Sequence, residues 1–202
     1  MSLRWRSRIT TATARFQVLT LQTKWVVEGY QTMLDECDGQ VLASTGGARA
    51  THAIVPVGCG SIAQAVTQHL KSAGREQPVT VVAVEPQSAP CLNVSLAKGE
   101  MMSVPTSDSI MNGMNCGTLS TTAWPVLRAG VDASVVVTEM EAHRAAQELA
   151  TTHGIGAGPC GAAALAALRR VCEVGREQLG LDGMSVVVLF CTEGSREYDA
   201  PV

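Results

Sequence analysis

The sequence predicts an α/β fold, a three-layer arrangement in which a parallel sheet carries helices on both faces. Two observations lead to this prediction. Short apolar runs, which suit strands buried on both faces, recur along the chain. Between them lie segments whose apolar residues are spaced by three and four positions, as in amphipathic helices. Strands that alternate with helices predict a parallel sheet, and a ligand is then expected at the carboxyl ends of its strands.

The first elements are a helix, a strand and a second helix. The helix is predicted over 26–42, where the apolar side chains keep helical spacing, and a turn at 44–47 follows it. The strand is the apolar run 52–57, which enters a glycine-rich turn. The second helix begins near Ile62 and is stopped by Gly74.

The next predicted strand is the β-branched run VTVVAV at 79–84, which is typical of a strand buried on both faces. Glu85-Pro86 is predicted to end it. Together with the preceding strand and helix it forms a βαβ unit. The remaining predicted elements alternate in the same way, as strand, helix, helix and strand at 133–138, 140–152, 161–178 and 184–190.

The composition is that of a globular chain with an aliphatic core, since 46% of the 202 residues are hydrophobic and only 3% are aromatic. The net charge of −3 gives no reason to expect a nucleic-acid partner. No apolar stretch is long enough to span a membrane. We therefore expect no nucleic acid and no membrane as partners, and a cytoplasmic location.

The seven cysteines are scattered without a CxxC pair, which indicates neither a zinc site nor a disulfide framework. Most of them are expected to be buried thiols. Residues 1–23 form a basic leader without an acidic residue. A disordered extension and an organelle-targeting peptide are both compatible with it, and we favour the first. The folded part is expected to be 24–202.

The sharpest local motif is the turn Gly58-Cys59-Gly60-Ser61, between a predicted strand and a predicted helix. Such a turn can hold a phosphate group on backbone amides at the positive end of the helix dipole. Read as G-x-G-x-x-A, with Glu85 on a ribose hydroxyl, it imitates the fingerprint of a Rossmann-type dinucleotide-binding module. Glu85 equally suits a residue that caps the end of its strand, and a tight turn without a ligand is a third interpretation.

Five segments in order resemble the 2,3-diaminopropionate ammonia-lyases, which are fold-type II pyridoxal-phosphate (PLP) enzymes with tryptophan synthase β, cysteine synthase and threonine dehydratase as wider relatives. The resemblance covers about residues 24–198. It implies an incomplete fold-type II domain, PLP as cofactor, a small amino-acid substrate, and α,β-elimination of 2,3-diaminopropionate to pyruvate and ammonia. The segments are VVEGYQTMLDE (26–36), VPVGCGSIAQAV (55–66), VVAVEPQSAPCL (81–92), IMNGMNCGTLSTTAWPVLR (110–128) and LFCTEGS (189–195).

The resemblance also implies which residues touch PLP. The glycine turn holds the phosphate, a loop passes beside the ring, and a hydroxyl or thiol faces the pyridine nitrogen. Because such a partner carries no full charge, the ring is a weaker electron sink, which favours loss of a leaving group from the β carbon. The implied cofactor-binding residues are Gly58, Cys59, Gly60, Ser61, Gly113 and, at the pyridine nitrogen, Thr192 with Cys191 as the alternative.

The lysine that forms the Schiff base in this family has no counterpart at the matching context. Lys71 would lie about 15 Å along the helix from Ser61, Lys98 is expected at a solvated helix end, and Lys24 adjoins the leader. No catalytic residue and no metal ligand is therefore assigned. We expect the chain alone to be inactive, to expose an apolar sheet edge, and to form a homodimer or pair with a missing N-terminal half.

Overall fold

The computed structural model describes residues 4–5, 21–75 and 77–201. Its strands are β1 (Arg4–Trp5), β2 (His52–Pro56), β3 (Thr80–Pro86), β4 (Ala133–Val137) and β5 (Val187–Leu189). They form one sheet in the order β1, β4, β3, β2, β5. The last four of these are parallel to one another, and only the short β1 pairs antiparallel, with β4.

Seven α-helices and one 3₁₀ turn are described around this sheet. No described helix combines the length and the apolar character needed to cross a membrane. The helices are α1 (Leu21–Gly29), α2 (Gln31–Thr45), α3 (Ser61–Leu70), α4 (Cys91–Lys98), α5 (Ala123–Gly130), α6 (Glu139–His153) and α7 (Pro159–Val174), and the 3₁₀ turn is Asn112–Met114.

The sheet separates two apolar cores, because successive side chains of a strand point to opposite faces. On β2, Ile54 joins the core that contains the alanines of α7 and α6. Its neighbours Ala53 and Val55 join the other core, with α2, α3 and α5. The predicted fold class, a parallel sheet with helices on both faces, is confirmed.

Local sequence explains how several elements begin and end. Helix α6 starts at a capping box, in which Thr138 Oγ1 accepts from the Glu141 amide at 3.2 Å and Glu141 accepts from the Thr138 amide at 2.7 Å. It ends at Gly154, whose φ of +65° suits glycine. Pro159 occupies the first position of α7, where no backbone donor is needed.

Several predicted boundaries are wrong, among them the end of the helix predicted over 161–178, which lies at Val174. The helix predicted over 26–42 is two helices that meet at Tyr30, directly after Gly29, a poor helix former. Strand β3 continues through Pro86, because the following residue, Gln87, donates to Val137 across the β3–β4 pair at 2.9 Å.

The last strand is shorter than predicted. It begins at Val187 because the Asp182 side chain accepts from the Met184 amide at 2.9 Å and holds residues 182–185 in a turn. Met184 is accordingly 85% exposed. In β5, which forms one edge of the sheet, Val187, Val188 and Leu189 are half-buried.

The predicted leader 1–23 lies outside the described residues, apart from Arg4–Trp5, which forms β1, and 21–23, which belong to α1. All seven cysteines are free thiols, but the expectation that most are buried is wrong. Only Cys91 and Cys160 are buried. Cys59 and Cys191 are exposed because they lie in loops at strand ends, and Cys172 is exposed on the last turn of α7.

Candidate functional site

The glycine turn connects the carboxyl end of β2 to the start of α3. Gly60 is the N-cap residue of α3 and has a φ of +100°, which glycine adopts without strain. The first bond inside the helix runs from the Gln64 amide to the Gly60 carbonyl, at 2.8 Å. The amides of residues 61–63 therefore have no acceptor within the helix, and no side chain caps them. This helix end is free to bind an anion.

The turn has no room for side chains at its two glycines. A Cβ on Gly58 would lie 2.8 Å from the Gly113 carbonyl oxygen, and a Cβ on Gly60 would lie 2.9 Å from Cβ of Ala123. The Ser120 amide also donates to the Cys59 carbonyl at 2.8 Å. The turn is thus packed directly against the segment 110–120, which we call the 110–120 loop.

The other predicted site segments meet at the same place. A Cβ on Gly113 would lie 3.4 Å from Cys160 Sγ, at the start of α7, and a Cβ on Gly161 would lie 2.8 Å from Cys191 Sγ. These contacts link the glycine turn, the 110–120 loop, the start of α7 and the segment after β5. The structure therefore brings the predicted site residues together at the carboxyl ends of β2 and β5, as expected for a parallel sheet.

Thr192 and Cys191 are the two alternatives for the residue at the pyridine nitrogen, and they differ in their surroundings. Thr192 is exposed, and its hydroxyl makes no hydrogen bond to any described residue. The Cys191 thiol lies against Gly161 of α7 and donates a hydrogen bond to the Glu193 carbonyl at 3.9 Å. Burial raises the pKa of Cys191. Both side chains are exposed, and the Thr192 hydroxyl is the one of the two that makes no hydrogen bond among the described residues.

Glu193 holds the start of α7 and was not singled out by the sequence. Its carboxylate accepts from the Cys160 amide at 2.6 Å and from Arg196 Nε at 2.9 Å. Arg196 also donates to the Ile110 carbonyl. Glu193 therefore caps α7 and, through Arg196, joins that helix to the 110–120 loop.

Glu139 holds the same loop from the start of α6. Its carboxylate accepts from the Ile110 amide and from the Ser109 hydroxyl, both at 2.7 Å. Nothing in the sequence distinguishes Glu139 from the other acidic residues at helix starts. Its role depends on a contact between residues 29 positions apart.

The proposed role of Glu85 on a ribose is wrong. Its side chain is fully buried and accepts from the Leu92 and Asn93 amides at 2.6 and 2.7 Å, so that it caps α4. Burial raises its pKa to about 7, while these two amides act in the opposite direction. The dinucleotide interpretation therefore loses the acidic residue that it requires.

The lysines with described side chains lie away from the glycine turn. Lys71 follows the far end of α3 and donates to the Val79 carbonyl at 2.7 Å and to Asp132 at 2.5 Å. Lys98 is exposed in the last turn of α4, as predicted. The side chain of Lys24 is outside the described part. Among the described residues, no three His, Cys, Asp or Glu side chains are placed to hold a metal ion.

Comparison with known proteins agrees with this arrangement. A family model described as pyridoxal-phosphate dependent enzyme matches residues 7–192. The diaminopropionate ammonia-lyase of Escherichia coli strain K12 is 28% identical over an alignment 183 positions long, which covers 86% of this chain and 46% of that protein. The chain thus spans about half the length of the curated relatives it matches.

Solved structures give the same result. The crystal structure of the Escherichia coli diaminopropionate ammonia lyase in complex with an aminoacrylate-PLP azomethine reaction intermediate superposes with a TM-score of 0.76 at 28% identity, covering 87% of this chain and 46% of that one. Maize serine racemase, at 22% identity, shares the fold with a TM-score of 0.70 over 86% of this chain and 50% of its own. With most of its length matched by the family model, this chain belongs to the pyridoxal-phosphate dependent enzyme family.

Proposed function

We propose that the chain binds the phosphate of PLP on the turn Gly58-Cys59-Gly60-Ser61. The observation that carries this proposal is the uncapped start of α3 behind two glycines that leave no space for a Cβ. The amides of residues 61–63 are donors without an acceptor, and the helix dipole adds positive potential there. The half-buried Ser61 supplies a further hydroxyl. The donor set therefore fits a phosphate group.

We propose that Thr192 faces the pyridine nitrogen and that Gly113 lies beside the ring. The free hydroxyl of Thr192 and the contacts that link the glycine turn, Gly113 and the segment after β5 support this assignment. A hydroxyl partner carries no charge and does not hold the nitrogen in its protonated form. When bound, PLP supplies an electron sink that allows bonds at the α carbon of an amino acid to break.

The proposed reaction is that of the ammonia-lyase relatives, α,β-elimination of 2,3-diaminopropionate to pyruvate and ammonia. An uncharged partner at the ring nitrogen suits elimination, since it limits how far negative charge is delocalised into the ring. The likeness to diaminopropionate ammonia-lyase over 86% of the chain supports this substrate class. We propose the cytoplasm as the compartment, which suits the seven free thiols.

The chain alone is proposed to bind PLP without turnover. Elimination requires a lysine amine at the site, and Lys71 and Lys98 are held elsewhere in the fold. We therefore propose that activity requires a second protein segment that contributes this lysine.

The first experiment is an absorbance titration of the purified chain with PLP and, in parallel, with pyridoxal, which lacks the phosphate. We expect PLP to bind at least tenfold more tightly, because charge-assisted bonds to a phosphate contribute about 1.5–3 kcal/mol. Ser61→Ala is expected to reduce that preference, and Ser72→Ala, just beyond α3, is the matched control. Equal affinity for both compounds would contradict the proposed phosphate site.

The lysine proposal has its own test. After borohydride reduction of the PLP complex, peptide mapping is expected to find no lysine modified in stoichiometric yield. Addition of 2,3-diaminopropionate to the chain with PLP is expected to release no pyruvate. A stoichiometric adduct at Lys24, Lys71 or Lys98 would show that the chain contains its own Schiff-base lysine.

A further inference from the structure

Asn112 and Gly113 form an Asn-Gly pair at the surface of the 110–120 loop. Both residues are exposed, and they begin the 3₁₀ turn that ends at Met114. The Asn112 side chain makes no hydrogen bond to any described residue. Its amide carbon is therefore open to attack by a nucleophile.

The nucleophile next to this carbon is the backbone nitrogen of Gly113, whose attack closes a succinimide ring. Glycine favours the closure, because it has no Cβ to hinder it. Among the described residues, the Gly113 amide donates to no backbone carbonyl. The turn is held by a bond from the Met114 amide to the Met111 carbonyl at 2.9 Å and by one from the Asn115 amide at 3.2 Å. An exposed element as short as this opens readily.

The sequence contains two other asparagines, and both are protected by contacts. Asn93 is buried in α4, and its Nδ2 donates to Ser134 Oγ at 3.2 Å. Asn115 is half-buried, and its Nδ2 donates to the Ser107 carbonyl at 2.9 Å. Neither of them is followed by glycine. Exposure, hydrogen bonding and the following residue thus all distinguish Asn112 from the other two.

We propose that Asn112 is a site of spontaneous covalent modification, at which the folded chain forms aspartate and isoaspartate. The Gly113 nitrogen attacks the side-chain amide carbon of Asn112, and a C–N bond forms. The amide nitrogen leaves as ammonia and takes the proton of the Gly113 nitrogen with it. Water then adds to one of the two carbonyls of the succinimide and opens the ring. Opening on one side gives aspartate, and opening on the other gives isoaspartate, in which the backbone runs through the former side chain.

The modification would alter the contact between the 110–120 loop and the glycine turn. Both products add a negative charge beside Gly113, and isoaspartate also lengthens the backbone by a methylene group. Little space is available there, since a Cβ on Gly58 would lie 2.8 Å from the Gly113 carbonyl oxygen and 3.3 Å from Cα of Met114. We expect the modified chain to bind PLP at least about fivefold more weakly, because the new carboxylate repels the phosphate. This expectation rests on the proposed phosphate site.

The test is peptide mapping of the full folded chain after incubation in mildly acidic and in mildly alkaline buffer. Tryptic peptide 99–128 contains Asn112 and Asn115, and peptide 76–98 contains Asn93. We expect the mass gain that replacement of the amide NH2 by OH gives, located at Asn112 by fragmentation, and labelling of the same peptide by an isoaspartate methyltransferase. The reaction should be faster in the alkaline buffer, because the attacking nitrogen must lose its proton. Asn112→Gln should abolish the change, and Asn93 and Asn115 are internal controls.

Two results of the peptide map would overturn the assignment. One is modification of Asn93 or Asn115 ahead of Asn112. The other is modification of Asn112 in urea-unfolded chain alone, which would show that the turn protects it.

The second readout is a PLP titration of wild type and Asn112→Gln after the same incubation. Weaker binding by wild type alone would support the effect on the site, and equal affinities would overturn it. If neither protein bound PLP even before incubation, the proposed phosphate site would be wrong. The peptide map would still decide whether Asn112 is modified, because it does not depend on PLP.

Discussion

The carboxylate of Glu85 accepts a hydrogen bond from the backbone amide of Asn93 at 2.7 Å, which ties the end of β3 to the first turn of α4. The Asn93 side chain in turn donates to Ser134 Oγ at 3.2 Å, on the neighbouring strand β4. One buried acid thus holds a helix of which the sequence predicted only the end, at Lys98. The contact joins two consecutive elements on the carboxyl side of the sheet.

Replacing Glu85 by glutamine should remove a pH dependence of stability. Burial raises the pKa of Glu85 from 4.5 to about 7, so the folded state holds this proton more tightly than the unfolded state does. The free energy of unfolding should therefore fall between these two pH values as the pH rises, by up to about 3 kcal/mol. Urea unfolding of wild type and Glu85→Gln from pH 4.5 to 8 measures the difference.

The control for this experiment is Glu100→Gln, at an exposed position after α4. This variant should keep the slope of the wild type. If Glu85→Gln showed the same slope as wild type, Glu85 would not titrate in this range and the proposed cause would be wrong.

Gly60→Ala should destabilise the fold and weaken PLP binding together. Alanine at a φ of +100° is strained, and its Cβ would collide with Ala123. Strain and overpacking together should cost about 2–4 kcal/mol. Gly39→Ala is the matched control, because Gly39 lies within α2 with nothing near its Cβ position, and there alanine should stabilise by about 0.5–1 kcal/mol. Thermal unfolding of both variants checks the opposite signs.

Glu193→Gln should loosen the start of α7. The substitution removes the charged acceptor of the Cys160 amide and the ion pair with Arg196, for an expected loss of about 1–2 kcal/mol. Glu197→Gln, at an exposed position four residues later, should change the free energy of unfolding by less than about 0.5 kcal/mol. Equal effects of the two substitutions in urea unfolding would contradict the capping role of Glu193.

Thr192→Val should weaken PLP binding without affecting the fold. The hydroxyl is exposed and has no hydrogen-bond partner among the described residues, so the free energy of unfolding should change by less than about 0.5 kcal/mol. Loss of one hydrogen bond to the ring should reduce PLP affinity by about three- to tenfold. The variants Thr192→Ser and Cys191→Ala should both bind PLP with the affinity of the wild type. The opposite pattern in an absorbance titration would assign the contact to Cys191.

The elements that the sequence predicted are those whose patterns are local. The apolar run of β3 and the helical spacing of α6 need no distant partner to be recognised. Helix α5 was not predicted, and α4 was anticipated only as a helix end at Lys98. Each has only eight residues, and α4 is capped by Glu85 from another element. A cap that comes from outside the helix leaves no mark in the helix's own sequence.

The candidate site divides in the same way. The glycine turn is visible in the sequence because its chemistry lies within four consecutive residues. The supports at Glu139 and Glu193 are not, because each acts on a segment that is distant along the chain. For Glu85 the sequence left a ribose contact and a cap at the strand end as alternatives, and its burial excludes the ribose. Residue type and position alone do not reveal whether a carboxylate faces solvent or a helix end.

The position of β2 between β3 and β5 has a consequence for the order in which the sheet can form during synthesis. Strand β2 is separated from its neighbour β3 by a single helix. Its other neighbour is β5, in which Val187, the partner of His52, comes 135 residues later in the chain. During synthesis, the backbone edge of β2 that later pairs with β5 therefore stays without a partner until these residues have been made. The nascent chain is therefore most exposed to aggregation before β5 emerges, and rare codons or stalling upstream of Val187 would lengthen that interval.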